Sequence, residues 1–359
     1  MKLFLENGQE ISGKSFGADT EISGEVVFCT GMTGYLEILT DPSYFGQIIV
    51  FTFPLVGNYG VFDQKKILAD IDEVYESSKI WVRGVILAEN SVNFSHELAE
   101  SSFGKWLQSE NIPAMSGVDT RALTQSLREE GTILGYLGNR KPAKFVDELN
   151  GRFVPSVSPK KLEILTPDNC KTRECKKIAF IDCGAKNGIF RNFLSRDIVI
   201  HRMPFDQNPF ELQEKFDGIF FSNGPGDPET MHETIEIARE VLAKNIPAFG
   251  ICLGCQIFAL AAGGKTKKMK YGHRGVNQPV QDLQTDKCII TTQNHGFEVD
   301  AESLTPETNM EVWFKNINDG TVEGIIHKTK KISAVQFHPE ACAGPEDAEY
   351  LFDRFIEQL

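Results

Sequence analysis

Ala248-Phe249-Gly250-Ile251-Cys252-Leu253-Gly254-Cys255-Gln256 joins a short apolar run to Gly-x-Cys-x-Gly, and an apolar, Gly-terminated stretch from Ile257 to Gly263 follows at once. This order predicts a strand that turns sharply into a helix and holds one side chain at its tip. Such a turn needs small residues where backbones pass close together, and it stores local strain. The start of a helix favours negative charge, so a cysteine placed there is biased towards its reactive thiolate. Many cysteines at strand–helix junctions simply pack, but packing alone does not require glycine two residues to either side. Cys252-x-x-Cys255 also reads as a dithiol redox pair, although that motif usually opens the first strand–helix unit of a chain and here it comes late.

At 359 residues the chain has room for two domains. A net charge of −13 argues against non-specific nucleic-acid binding and against anionic membrane surfaces, both of which need basic patches. Lys265, Lys267, Lys268 and Lys270 form a local exception that reads as a solvated face. Eight cysteines lie scattered without a framework spacing, which predicts reduced thiols and a cytoplasmic setting. Cys252, Cys255, His273 and His295 lack the second close pair of a zinc site, so no metal is expected. The N-terminus has no signal-peptide core, and no apolar run approaches the roughly 20 residues of a membrane span.

Residues 1–151 are rich in short β-type runs such as 46–51 and 81–87, with helical patterns at 101–110 and 119–130, and predict a mixed β-rich domain. Residues 152–176 carry three prolines and several lysines without periodicity and read as a linker. From Lys177 onwards, strands at 178–182, 197–200, 217–222 and 246–250 alternate with helical patterns. That rhythm predicts an α/β domain over residues 177–359, an open, mostly parallel sheet with helices on both faces. Ligands of such sheets bind beyond the carboxyl ends of the strands. Ser222-Asn-Gly224-Pro-Gly226-Asp-Pro228 and Cys252 both stand at such ends.

A cysteine that attacks an acyl centre needs a base and backbone donors for the oxyanion. The strand Ile332–Phe337 leads into His338-Pro339-Glu340, a histidine with a carboxylate two residues on to orient its ring. The N–H of Leu253, just after the nucleophile, and the Gly224-Pro225-Gly226 loop are the candidate oxyanion donors.

Gly250-Ile-Cys252-Leu-Gly254, Ser222–Pro228 and His338-Pro-Glu340 together resemble the class I, triad-type glutamine amidotransferases, in that family's order. Thr30-Gly-Met-Thr-Gly-Tyr35, Leu39-Thr-Asp-Pro-Ser-Tyr44, Gly57-Asn-Tyr-Gly60 and Ser116–Thr124 resemble the small, glutamine-hydrolysing subunit of carbamoyl phosphate synthetases. The resemblance implies Cys252 as nucleophile, His338 as base and then acid, and Glu340 as its orienting partner. It implies oxyanion N–H groups from Leu253 and Gly226. It also implies glutamine contacts from Gly224, Gln256, Asn294, Gly296, Phe297 and, from the first domain, Ser43. His295, beside that set, reads as a structural histidine.

The resemblance further implies that ammonia passes to a large ATP-grasp subunit. There ATP, Mg and bicarbonate would yield carbamoyl phosphate for arginine and pyrimidine synthesis. This chain has no Gly-x-x-x-x-Gly-Lys-Ser/Thr loop and needs no cofactor of its own. Three positions depart from the family pattern: Cys255 where histidine is usual, Gly184-Ala-Lys186-Asn187-Gly188-Ile189, and Leu36 where glutamine is common. They leave open a divergent amidotransferase serving another synthase, or a non-catalytic regulatory subunit.

Overall fold

Along the strand Lys177–Asp182, Ile178 and Phe180 enter one core while Ala179 and Ile181 enter another. A strand buried on both faces belongs inside a sheet covered by helices, which is how this part of the chain is built. The computed structural model describes residues 1–146 and 151–359; residues 147–150, within the expected first domain, lie outside the described residues. The chain forms two units, Met1–Lys65 with Val74–Gly151, and Lys66–Glu73 with Arg152–Leu359.

The first unit holds an eight-stranded mixed sheet. Its centre is the parallel run Ile22–Cys29, Gln47–Phe51, Gly84–Ile86 and Ala114–Ser116. Val27, Ile49 and Val85 pack there against Leu39, Phe103 and Leu107. The helices Phe103–Ser109 and Thr120–Glu130 start at Ser102 and Asp119, whose side chains accept from the N–H groups of Lys105 and Ala122, ordinary N-caps.

In the second unit we label the strands β1 (Glu163–Leu165), β2 (Lys177–Asp182), β3 (Val199–Pro204), β4 (Gly218–Phe221), β5 (Ala248–Ile251), β6 (Thr266–Asp282), β7 (Cys288–Val299), β8 (Met310–Asn316), β9 (Val322–His327) and β10 (Ile332–Val335). They form one sheet in the order β1-β3-β2-β4-β5-β10-β9-β8-β6-β7. The five strands from β3 to β10 in that order are mutually parallel, and β9, β8, β6 and β7 extend the sheet antiparallel. Helices α1 (Asn187–Ser195), α2 (His232–Lys244), α3 (Leu253–Ala261) and α4 (Tyr350–Ile356) cover both faces. α2 and α3 pack against Ala179, Ile181 and Phe221, whereas α1 and α4 pack against Phe180, Phe220 and Phe249.

Two expectations need correction. The segment 152–176 is packed into the second unit rather than free: β1 pairs antiparallel with β3, Val154 is in the core, and Ser158 Oγ donates to Asp182 O at 2.7 Å. A three-residue strand between prolines is too short to leave a period in the sequence. Cys170 and Cys175 within it are joined by a disulfide, where reduced thiols were expected; the other six cysteines are free. Among the described residues, no helix is long and apolar enough to cross a membrane.

Candidate active site

Parallel pairing of β5 with β10 sets Ile251 beside Val335, so the residues after each strand emerge at the same edge. Cys252 is the first of them. Its N–H donates to Val335 O at 2.8 Å, and its backbone takes φ 54° and ψ −102° before α3 begins. Positive φ at a side-chain-bearing residue costs about 1–3 kcal/mol and persists only where neighbours enforce it. Here the neighbours are close approaches. A Cβ at Gly250 would lie 2.8 Å from the Gly254 carbonyl carbon, and one at Gly254 would lie 2.4 Å from the Phe221 carbonyl oxygen. The strain therefore resides in Cys252 itself, while the flanking glycines let α3 sit against β4.

Gly254→Ala is accordingly expected to push α3 off Phe221, destabilising the fold by about 1–3 kcal/mol. The same shift misplaces the sulfur and lowers glutamine turnover about 100-fold. Thermal melting and ammonia release measured together check this, and a variant matching the parent in both would refute the packing account.

His338 arrives two residues beyond Gln336, the residue after β10. Its N–H donates to Thr292 O at 2.8 Å, where β7 returns over the strand ends in an isolated bridge. The ring is buried and its Nδ1 lies 2.6 Å from Glu340 Oε1. Its Nε2 is buried without a hydrogen-bond partner of ordinary geometry among the described residues. Burial alone would make the ring give up its proton. The Glu340 carboxylate and the nearby Cys252 sulfur outweigh that and raise its pKa to about 10. Glu340 is equally buried; burial pushes its carboxyl up, but the Lys186 ammonium and the imidazolium pull it down to about 2. Lys186 Nζ lies 3.1 Å from Glu340 Oε1 and donates to Ala341 O at 2.6 Å. The result is a buried chain of alternating charge, Lys186–Glu340–His338, ending at Cys252.

The Cys252 sulfur donates to Asn294 O at 3.7 Å and accepts from Gln336 Nε2 at 3.6 Å. Gln256, on α3, donates through Nε2 to Phe297 O (2.9 Å) and Gln336 Oε1 (3.0 Å). Cys252, His338, Glu340, Gln256, Asn294 and Phe297 are thus gathered at one edge, with Gly296 between the last two in the chain. Leu253 opens α3, where helical N–H groups have no intrahelical partner. A Cβ at Gly224 would lie 2.2 Å from the Cys183 carbonyl oxygen and 3.0 Å from Leu253 Cδ2, and Gly226 follows in the same loop with φ 97°. Ser43 belongs to the first unit, in a 3-10 turn where Asp41 Oδ1 accepts from its N–H at 2.8 Å.

His295 is buried, with ring nitrogens 2.9 Å from Phe297 O and 3.2 Å from Gln293 Oε1, and burial holds it neutral. Cys255 packs in the core on the opposite face from Cys252, and burial pushes its thiol well up. Among the described residues, His273, His295 and Glu323 are the group whose atoms could meet a metal, lying within 4.8 Å of one another. His273 already engages Glu323 Oε1 (3.2 Å) and Asp319 Oδ2 (2.8 Å); burial opposes its charge, but these carboxylates raise its pKa to about 9. Sequence reasoning left Lys186 and Gln336 without roles. The readable signals were a lysine inside a glycine-flanked turn and a glutamine inside the otherwise apolar run 332–337.

A family model for the class-I glutamine amidotransferases matches residues 179–358, and one for the carbamoyl-phosphate synthase small chain, CPSase domain, matches residues 3–137. The arginine-specific small chain of carbamoyl phosphate synthase from Neurospora crassa is 43% identical over 99% of this chain and 79% of its own length. Its namesake from Saccharomyces cerevisiae is also 43% identical, over 99% of this chain and 87% of its own. The multifunctional protein pyr1-3 of Dictyostelium discoideum is 43% identical over 99% of this chain but only 17% of its own length. With both halves matched in order and the likeness running end to end, the chain belongs to the carbamoyl-phosphate synthase small chain family, with a class-I glutamine amidotransferase domain as its second half.

Proposed function

We propose that this chain hydrolyses the side-chain amide of L-glutamine and delivers ammonia to a large ATP-grasp subunit that makes carbamoyl phosphate. The observation that carries the reading is the His338 ring, held by Glu340 through Nδ1, with its buried Nε2 lacking a partner of ordinary geometry among the described residues and the Cys252 sulfur close by. Cys252 as thiolate attacks the amide carbon, and the Leu253 and Gly226 N–H groups receive the oxyanion. His338 gives its proton to the departing nitrogen, which leaves as ammonia, and a γ-glutamyl thioester remains. Water then loses a proton to His338 and attacks the thioester, releasing glutamate and restoring the sulfur. Both N–H groups of Gln256 are already engaged, so only its oxygen can meet a ligand, which suits the substrate ammonium. Asn294, Gly296, Phe297 and Gly224 complete the proposed glutamine site.

The chain needs no cofactor in this scheme; ATP and Mg belong to the large subunit. A cytoplasmic setting is proposed on the free thiol that the mechanism needs at Cys252, which lies outside the Cys170–Cys175 disulfide. The relatives' names, arginine-specific small chain and multifunctional pyr protein, support arginine and pyrimidine synthesis as destinations of the product. The test is to incubate the purified chain with L-glutamine and follow glutamate and ammonia. Slow release that rises when an ATP-grasp partner and ATP are added is expected; no release in either condition overturns the reading.

A further inference from the structure

We propose that Gln336 is a further catalytic residue: its side-chain N–H donates to the Cys252 sulfur and stabilises it as the attacking thiolate. The inference rests on the nucleophile assigned above. It follows from a chain of hydrogen bonds whose direction is fixed at one end. Phe297 O can only accept, so the Gln256 atom 2.9 Å from it must be Nε2. That nitrogen has only donors, so the Gln336 atom 3.0 Å away must be Oε1. The Gln336 amide is thereby oriented, and its Nε2, 3.6 Å from Cys252 Sγ, has a proton to give. Flipping Gln256 would set two acceptors against each other, and flipping Gln336 alone would set two donors against each other.

The backbone holds this arrangement rigidly. Gln336 is fully buried, and its N–H donates to Glu323 O at 2.8 Å, continuing the pairing of β10 with β9. The other partner of the sulfur favours the opposite state. Asn294 O can only accept, so its 3.7 Å contact suits the neutral S–H and is lost when the proton leaves. Gln336 and His338 then remain as the donors facing a negative sulfur. A donor to a charged group contributes more than one to a neutral group, so its effect falls mainly on the thiolate. The same carboxamide also connects the sulfur to Gln256 and hence to the proposed substrate-binding strand.

Gln336→Met keeps the length and removes the donor, while Gln336→Glu keeps the volume and replaces the donor with a carboxyl group. Alkylation of Cys252 by iodoacetamide, followed on the Cys252 peptide by mass spectrometry, reads thiolate content without needing glutamine hydrolysis. Both variants are expected to alkylate about 10-fold more slowly than the parent at pH 7. Their kcat/KM for glutamine should fall about 10- to 100-fold. Alkylation within twofold of the parent at pH 7, in either variant with an unchanged melting temperature, overturns the role of Gln336. A parent chain that alkylates at Cys252 yet releases no ammonia overturns the glutaminase reading instead, and alkylation still decides Gln336.

Discussion

Cys252→Ser is expected to lower ammonia release from glutamine by about 10⁴-fold or more while leaving the fold intact. Serine fits the space, and the φ of 54° is imposed by Gly250, Gly254 and the Val335 carbonyl rather than by the sulfur. What the variant loses is an ionisable nucleophile. Without the sulfur, the Glu340 carboxylate still favours a protonated His338 ring, and a protonated ring cannot take a proton from a serine hydroxyl. A cysteine escapes this difficulty because imidazolium beside thiolate is a stable pair, with the acid for the leaving ammonia already loaded. The same variant in a complete synthetase should still use free ammonia, since Cys252 acts only on glutamine. Release by Cys252→Ser within tenfold of the parent would refute the nucleophile assignment.

The strand-to-helix turn, the three motifs and their placement at strand ends were legible because each is contiguous and rich in glycine or proline. Gly-x-Cys-x-Gly states its own geometry, and His338-x-Glu340 carries base and carboxylate within three residues. No local pattern marked the antiparallel extension β6–β9 as part of the site; Asn294, Gly296 and Phe297 of β7 entered it only through the family resemblance. Thr292 and Asn294 reach His338 and Cys252 only because β7 turns back over the strand ends, and no local period encodes that return. Lys186 and Gln336 were hidden for a related reason. Each is a polar residue whose partners lie far along the chain, Lys186 on Glu340 and Gln336 between Cys252 and Gln256. A buried polar residue needs a partner, but the sequence does not say which one.

Glu340→Gln has the second large effect, and pH separates its two causes. The parent site buries Lys186 and His338 as cations around one carboxylate, and the substitution removes the negative charge that both of them meet. The pKa of His338 then falls, because the Cys252 sulfur alone is left to favour the imidazolium against burial and the Lys186 charge. Turnover should fall about 10²- to 10⁴-fold, since the ring is neither oriented nor loaded as an acid. Lys186 is left buried beside a neutral amide, which destabilises the fold by about 3–5 kcal/mol. The carboxyl of Glu340 ionises near pH 2 when folded against an ordinary 4.5, so its stabilisation is full above about pH 4.5 and is lost as pH falls towards 2. His338 holds its proton to about pH 10 against an ordinary 6.5, so its share is full below about pH 6.5 and is lost as pH rises towards 10. The stability gap between parent and variant is therefore widest between about pH 4.5 and 6.5 and narrows on both sides. Urea unfolding across pH 3–10 measures it, and a gap that stays constant across that range would mean that the charge chain Lys186–Glu340–His338 does not hold the site together.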